Sequence, residues 1–368
     1  TGDDGITGDD GIPAARTREH ARGNEQMVDQ AETPAAAGSG SLYYDTERQF
    51  LIVEGVIARG IPTFPLAPRP KRRSRAATFD SLGGNTTLGI HLSEVPPGKA
   101  KPGHRHLDEA TFYIVSGRGW SEVRQSDDAP MERIDWQAGD VMTIPSNAWH
   151  QHFNASEEEP ILHIAFKNTR LLRRLFNSRD FVYKNDFRFD DRYADEPGYW
   201  SSREDDGRVS TAPIFRDVIR ESVIPDPEAG SGVGIRELSM GGHLMVDHAL
   251  VEIAPGGSIR AHRHLAEEAM LVLEGSGETR LWTDDGRQET VTWTAGDLLS
   301  PPFQVWRSHH NTGNGRVRFL RFQNNFIELA LGVRGRSISL DGAGLPDRFP
   351  AVIEADRSRY ESKGRDDE

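Results

Sequence analysis

Short runs of apolar and β-branched residues fill two separate parts of the chain, residues 77–168 and residues 236–325. Gly, Pro, Asn or Asp bounds each run, as in "TTLGIHLSEV", "TFYIVSGRGWSEV" and "DVMTIP". Many short strands with turn residues between them are typical of a β-sandwich or β-barrel. The pattern therefore predicts an all-β protein with two barrels in one chain.

The second of these parts repeats the first at a nearly constant spacing. Four pairs of landmark residues lie 157 or 158 positions apart: His104 and His262, Gly117 and Gly275, Gly139 and Gly296, and Asn154 and Asn311. A fixed spacing across several landmarks indicates an internal duplication. We therefore expect two barrels of the same design.

The segments outside the two barrels are predicted to be a tail, an arm, a connector and an extension. Residues 1–40 are rich in Gly, Asp, Ala and Ser, which predicts a disordered tail. Residues 41–76 are predicted to form a helical arm and a crossing loop. Residues 169–235 are interpreted as a connector, and residues 326–368 as a C-terminal extension.

The arm and the connector each contain apolar residues at helical spacing. A helix is predicted from Asp45 or Thr46, as the N-cap, to Gly60, as the C-cap. The connector runs "TRLLRRLFNS" and "IFRDVIRESV" predict two further short helices. Between arm and barrel, "PTFPLAPRPKRRSRA" predicts a loop whose basic residues face solvent. The alternative is that one of its arginines faces the mouth of the site and attracts an acidic substrate.

Charge and composition exclude several classes of partner. The chain has 44 basic and 57 acidic residues and a formal net charge of −13, which disfavours nucleic acid and anionic membrane surfaces as partners. No long apolar run or signal peptide is visible, so we expect a cytoplasmic protein. Cysteine is absent, so disulfides and thiolate ligands are excluded, and a metal would need His and carboxylate ligands.

Three histidines in the first barrel are predicted to hold one metal ion. His104 and His106 are two residues apart, so both imidazoles can enter the barrel from one face of a strand. His150 comes from a later strand. Three neutral imidazoles would leave coordination positions open on a divalent transition metal. A single histidine would be better explained as a hydrogen-bonded core residue, but three at this spacing favour a metal site.

These residues lie in motifs that resemble those of the cupin superfamily, G-x5-H-x-H-x3,4-E-x6-G and G-x5-P-x-G-x2-H-x3-N. The first barrel matches at Gly98, His104, His106 and Gly117, and then at Gly139, Pro145, His150 and Asn154. Ala110 stands where the motif has glutamate, and Asn147 where it has glycine. Glu109 is adjacent to that position but would point to the opposite face of a strand. The resemblance covers about two thirds of the chain and implies a bicupin.

Within that superfamily, the first barrel resembles the gentisate-type ring-cleaving dioxygenases. "HRHxxxA" lacks the glutamate that manganese decarboxylases of the oxalate type have, and "WHxH" adds His152 two residues after His150. The resemblance implies Fe(II) as the metal, O2 as co-substrate and His152 as a catalytic residue beside the substrate. Phe112 replaces an arginine that helps to hold the substrate carboxylate in that family. The substrate is therefore left open between hydroxylated aromatic acids and related chelating compounds.

The second barrel has a complete first motif but an altered second one. His262, His264 and Glu268 could form a metal site with two histidines and one carboxylate. Arg307, however, occupies the position of the last histidine, and Gln304 that of a glycine. If Arg307 points inward, its guanidinium would pair with Glu268 and replace the cation, because a fixed positive charge disfavours a divalent ion nearby. The metal-free interpretation is preferred on that condition.

The leading functional hypothesis is an Fe(II)-dependent dioxygenase acting on a small molecule. A metal-dependent isomerase or lyase with Zn, Mn or Ni is the alternative enzyme class, and it would turn over without O2. A non-enzymatic binding cupin is the third alternative. Bicupins commonly form homo-oligomers, so the resemblance also implies an oligomer.

Overall fold

The computed structural model describes residues 51–243, 245–326 and 338–339. Strands dominate these ranges and form two barrels, which confirms the predicted all-β fold. The predicted tail over residues 1–40, the start of the arm and most of the C-terminal extension lie outside the described residues.

Two sheets build the first barrel, and its strands are numbered in chain order through the whole molecule. The larger sheet has the order β1-β4-β5-β11-β6-β9-β14, with β3 beside β4. Its strands are β1 (Leu51–Gly55), β3 (Ala67–Arg69), β4 (Ser74–Leu82), β5 (Gly89–Val95), β6 (Ala110–Ser116), β9 (Val141–Ile144), β11 (Ile161–Lys167) and β14 (Ile214–Phe215). The smaller sheet, in the order β10-β7-β8, contains β7 (Arg118–Arg124), β8 (Glu132–Gln137) and β10 (Trp149–Asn154).

The second barrel is one continuous sheet within the described ranges. Its central order is β16-β17-β23-β18-β21, and β22, β19 and β20 extend it from β17. Its strands are β2 (Ile57–Ala58), β12 (Glu204–Asp205), β13 (Val209–Thr211), β15 (Ile224–Pro225), β16 (Gly230–Ser239), β17 (Asp247–Arg263), β18 (Glu268–Glu274), β19 (Ser276–Trp282), β20 (Gln288–Thr294), β21 (Leu298–Leu299), β22 (Trp306–Asn311), β23 (Val317–Gln323) and β24 (Ile338–Ser339).

Helices are short in the described ranges and lie in the arm and the connector. The α-helices are α1 (Thr169–Phe176) and α2 (Arg179–Tyr183), and 3-10 turns span Ile61–Thr63, Pro70–Arg72, Tyr199–Ser201 and Val218–Arg220. The α1 helix confirms the prediction made from "TRLLRRLFNS". None of these helices is long and apolar enough to span a membrane.

The predicted helix over residues 45–60 is wrong where the structure describes it. Residues 51–55 form β1, which pairs in parallel with β4, and residues 57–58 form β2. Val53, Val56 and Ile57 are β-branched and buried, so the strand conformation suits them better than a helix. Two sheets offer pairing partners here, and that tertiary context overrides a weak helical pattern.

The predicted helix over "IFRDVIRESV" is also wrong for most of its length. Ile214 and Phe215 form β14 and pair with β9 of the first barrel, and only the short Val218–Arg220 segment adopts a 3-10 turn. Asp217, with a φ of 42°, sits in the left-handed region and breaks any continuous helix.

The two barrels exchange strands and share an interface with internal two-fold character. Strand β2, from the arm, pairs with β21 of the second barrel, and β14, from the connector, pairs with β9 of the first.

The buried carboxylate of Glu109 accepts hydrogen bonds from the backbone amides of Met245 and Val246. Glu267, 158 residues later, accepts bonds from the amides of residues 86–88 in the opposite direction. The duplication is thus visible in the contacts that join the barrels.

Candidate metal centre

His104, His106 and His150 converge at one end of the first barrel. His104 and His150 face each other in a two-residue bridge, in which each backbone N–H donates to the other carbonyl at 3.0 and 2.8 Å. The candidate ligand atoms of the three imidazoles all lie within 4.8 Å of one another. The backbone pairing therefore sets the distance between two of the three side chains. The predicted strand through His104 and His106 is wrong, because only His104 is in the bridge and His106 lies in the irregular segment that follows it.

Hydrogen bonds fix which nitrogen of each ring faces the centre. The Nδ1 atoms of His104, His106 and His150 lie 3.2, 2.9 and 2.9 Å from backbone carbonyl oxygens. A carbonyl only accepts, so each Nδ1 carries the proton and each Nε2 keeps a lone pair. Within the described ranges, the buried Nε2 atoms of His106 and His150 have no hydrogen-bond partner. Buried nitrogens of this kind, aimed at one point, fit a bound metal ion.

Burial keeps these imidazoles neutral, which is the state that binds a metal. Desolvation holds the pKa of His104 and of His150 well below the usual histidine value and lowers the pKa of His106 to about 4. Neighbouring positive charges, including Arg72 and Lys167, contribute in the same direction. No proton therefore competes for the Nε2 lone pairs near neutral pH.

A left-handed turn delivers His150 to the centre. Asn147, which replaces the motif glycine, has a φ of 58°, and the aligned Gln304 of the second barrel has a φ of 61°. Asparagine tolerates this region better than most residues. The Asn147 amide also donates to the carbonyls of Asn185 and Phe187 at 2.9 and 2.8 Å, which ties the turn to the connector. The departure from the motif therefore preserves the backbone geometry.

His152 lies in the cavity wall beside the three histidines, with its ring centre 5.4 Å from that of His150. Its Nδ1 is 2.8 Å from the Ser121 hydroxyl, which accepts a hydrogen bond from Trp136 Nε1 at 2.9 Å. After the bond from Trp136, Ser121 keeps its own proton and a second lone pair, so it can donate to His152 Nδ1 or accept from it. Burial holds the pKa of His152 well below its usual value, so the ring is neutral.

Ala110 and Phe112, which stand where the resembled families have a glutamate and an arginine, occupy different places in the first barrel. Ala110 is fully buried at the start of β6, where a glutamate would otherwise reach the metal. Glu109 points away from the centre, as predicted, and binds backbone amides of the second barrel. Phe112 forms part of the cavity wall and contacts His152 and His163 edge-on, with ring centres 5.0 and 5.2 Å apart.

A cavity of about 130 Å³ adjoins the three histidines, and six lysine and arginine side chains are among the residues that line it. The basic lining residues are Arg69, Arg72, Lys101, Lys167, Arg170 and Arg173. Arg69 and Arg72 come from the crossing-loop segment, which fits the alternative that an arginine of this loop faces the site. The other basic residues of the loop face solvent, as the first interpretation has it: Lys71, Arg73 and Arg75. Sequence reasoning missed Lys101 and Lys167, because long-range pairing brings them to this cavity. Lys167 ends β11, which pairs with β5 and β6, and the Lys101 amide donates to the carbonyl of His152 on β10.

In the second barrel, the guanidinium of Arg307 lies in the middle of the aligned residues and is fully buried. It points inward, as the metal-free interpretation requires, and its Nη2 and Nε atoms lie 3.0 and 3.1 Å from the Glu268 carboxylate. Arg307 Nη2 also contacts His264 Nε2, the nitrogen that would bind a metal. The nearby cation holds the pKa of Glu268 well below its usual value despite the opposing effect of burial. His262, His264 and Glu268 do converge, but around a cation that the protein supplies.

His309 occupies the same place in the second barrel as His152 in the first. Its Nδ1 lies 2.8 Å from the Thr279 hydroxyl, which accepts a hydrogen bond from Trp293 at 2.9 Å. The duplication has therefore kept this three-residue network in both barrels, while the three-histidine arrangement is found in the first barrel of the described chain.

Comparisons with known proteins agree with the duplicated design. The cupin domain model matches residues 91–165 and 249–322. Gentisate 1,2-dioxygenase of Haloferax sp. is 23% identical over 72% of this chain and 78% of its own length. The 1-hydroxy-2-naphthoate 1,2-dioxygenase of Nocardioides sp. (strain KP7) is 25% identical over 63% of this chain and 60% of its own.

A solved structure shares the fold at low sequence identity. Salicylate 1,2-dioxygenase from Pseudaminobacter salicylatoxidans superposes with a TM-score of 0.54 at 19% identity, over 74% of this chain and 81% of that protein. Both barrels therefore contain a match to the cupin domain, and the chain resembles the gentisate 1,2-dioxygenases.

Proposed function

We propose that this bicupin is an Fe(II)-dependent dioxygenase that opens the ring of a hydroxylated aromatic acid with O2. The observation that carries the proposal is the set of three neutral imidazoles whose Nε2 atoms converge beside a cavity, with no carboxylate among these three candidate ligands. The resemblance to gentisate and 1-hydroxy-2-naphthoate dioxygenases supports the same class of reaction.

His104, His106 and His150 would hold the metal. When bound, Fe(II) would supply the redox chemistry that lets O2 react with an aromatic compound chelated beside it. Because the three ligands are neutral, the site keeps the full charge of the ion, which favours an anionic chelating substrate.

The remaining side chains of the cavity orient the substrate and control protons. The neutral His152 ring, held by Ser121, would form a hydrogen bond with a substrate oxygen or accept a proton from it. Phe112 presents an aromatic edge where the related enzymes have an arginine, so it would pack against the substrate ring.

His152 and its counterpart in the second barrel provide a matched pair of variants. We expect His152→Phe to lower the turnover number by about 100-fold, since a general acid–base group contributes roughly that factor. His309→Phe breaks the same hydrogen bond to a hydroxyl but should change turnover less than about twofold. Steady-state O2 consumption and thermal unfolding of both variants would check this. Equal loss of turnover in both would show that the effect on activity comes from stability alone.

An oxygen-electrode assay tests the proposed activity. The full chain is reconstituted anaerobically with Fe(II) and then mixed with dihydroxybenzoates, salicylates, hydroxynaphthoates and diketones. We expect one O2 consumed per substrate ring opened, with both oxygen atoms in the product. Turnover of the same compounds without O2 would instead favour an isomerase or lyase. Metal bound without any turnover would favour a binding cupin.

A further inference from the structure

Lys101 is a buried basic residue that the metal centre does not explain. Its side chain lies inside the first barrel, and its Nζ donates to Ser93 Oγ and to His163 Nε2, both at 2.7 Å. In the described part of the chain, no carboxylate pairs with this ammonium group. Two of its three protons are used by neutral acceptors, which leaves one for a group in the cavity.

The second barrel shows that a cupin barrel of this chain folds without such a cluster. Ser93 pairs with His163 across β5 and β11, and the matching pair across β17 and β23 is Val251 and Phe319. Lys101 lies three residues before His104, and Ile259 lies three residues before His262. A Lys, Ser and His cluster in one barrel thus corresponds to Ile, Val and Phe in the other, all of them apolar core or core-contacting residues.

Burying a lysine without a carboxylate is unfavourable, because an ionised group loses its hydration. Burial, together with Arg72 and Lys167 nearby, holds the pKa of Lys101 well below its usual value. The apolar alternative in the second barrel avoids this cost. The cluster in the first barrel therefore points to a ligand that supplies the missing negative charge.

Arg72 adds a second cation to the same part of the cavity. It belongs to the 3-10 turn Pro70–Arg72 and is half-buried, whereas Lys71 and Arg73 on either side are exposed. Its guanidinium makes no hydrogen bond or ion pair within residues 51–243, 245–326 and 338–339. A guanidinium turned from solvent into a cavity is suited to bind a carboxylate or a similar planar anion.

The charges that line the cavity exceed what one carboxylate would balance. Six basic side chains line it, and Asp80 is the one carboxylate among the described lining residues, although Lys167 also pairs with Asp108 outside the lining at 3.9 Å. Asp80 is itself engaged by the backbone amide of Ile90 at 2.8 Å. The metal would add two further positive charges close to these groups. The lining is thus strongly cationic in a chain whose net charge is −13.

We propose that Lys101 and Arg72 bind an anionic group of the substrate that is separate from the group held at the metal. The substrate would then be a hydroxylated aromatic acid with at least two anionic groups, one chelating and one distal. The chelating group of this substrate rests on the proposed function. The distal anion site is inferred only from the residues that line the cavity. The cavity of about 130 Å³ is close in size to one of about 150 Å³ that holds benzene, and it is partly open to solvent, so it limits the substrate to a single ring whose substituents extend toward the opening.

Isothermal titration of the full-length, metal-free protein tests the distal site without any oxygen chemistry. The probes are 4-hydroxyisophthalate, which has two carboxylates, and salicylate, which has one. We expect the dicarboxylate to bind at least about 10-fold more tightly than salicylate. Lys101→Met and Arg72→Gln should each weaken the dicarboxylate by about 10- to 100-fold, the usual range for a charge-assisted hydrogen bond. Both variants should bring the ratio of the two affinities close to 1.

Lys71→Gln is the matched control, because it removes a positive charge from the neighbouring exposed position. It should leave both affinities within about twofold, since surface charges are screened. Circular dichroism establishes that each variant is folded. Equal binding of the two probes, or an unchanged dicarboxylate affinity in both cavity variants, would overturn the inference.

The same titration separates this inference from the proposed activity. Tight dicarboxylate binding that depends on Lys101 and Arg72, with no O2 uptake by the Fe(II) form, would support the anion site and contradict the dioxygenase. O2 uptake with salicylate-type acids, but no preference for a second carboxylate, would support the dioxygenase and contradict the anion site.

Discussion

His150→Ala should lower the rate of O2 uptake by at least about 1000-fold and abolish tight metal binding, because a metal centre supplies several kcal/mol of the catalytic effect. The variant removes one of three convergent Nε2 atoms and leaves His104 and His106 alone in the barrel. The backbone bridge between positions 104 and 150 does not need the imidazole, so the barrel should stay folded. Oxygen-electrode assays after anaerobic Fe(II) loading give the measurement.

His262→Ala is the control for this variant, since it removes the residue that corresponds to His104 in the second barrel. We expect its rate of O2 uptake to stay within about twofold of the unmodified chain, because the second barrel already contains a cation at its centre. If His150→Ala kept a tenth or more of the activity, the first barrel would not be the site of the reaction.

Arg307→Met should reduce the free energy of unfolding of the second barrel by about 3–5 kcal/mol. The guanidinium is fully buried and hydrogen-bonded to Glu268, so its removal leaves an unpaired carboxylate in the core. Chemical denaturation of the metal-free protein, followed by tryptophan fluorescence, measures the change. No new salt bridge can form from a methionine, which makes the substitution a clean removal of charge.

The double variant Arg307→Met with Glu268→Leu distinguishes the cost of leaving Glu268 unpaired from the cost of losing the packing of the Arg307 side chain. Replacing both partners by apolar residues removes the unpaired charge, so most of the stability should return. If the free energy of unfolding of the double variant is lower than that of Arg307→Met alone, an unpaired Glu268 carboxylate is not the cause of the instability of Arg307→Met.

Spacing in the sequence was sufficient to predict the duplication and the convergence of three histidines. The same landmarks return after 157 or 158 positions, and the motif spacing groups His104, His106 and His150 without coordinates, although His104 and His106 do not lie on a common strand. The inward direction of Arg307 was stated as a condition, and the structure meets it. These inferences depend on local geometry and on motif position, both of which the sequence contains.

Long-range pairing explains what the sequence could not reveal. The arm residues Val53 and Ile57 suit a strand or a helix, and only the parallel partner β4 and the distant β21 select the strand. Arg72 and Lys101 are 29 positions apart and meet only because the 3-10 turn after β3 and the segment after β5 enclose one cavity. The predicted homo-oligomer and cytoplasmic location stay predictions.

Counting metal ions per chain tests the central claim most directly. The chain is purified anaerobically, saturated with Fe(II), desalted and analysed by inductively coupled plasma mass spectrometry beside His150→Ala and His262→Ala. Because the first barrel presents three free imidazole lone pairs and the second is filled by Arg307, we predict one ion in the unmodified chain and in His262→Ala, and none in His150→Ala. Two ions in the unmodified chain, or one that is lost in His262→Ala and kept in His150→Ala, would contradict it.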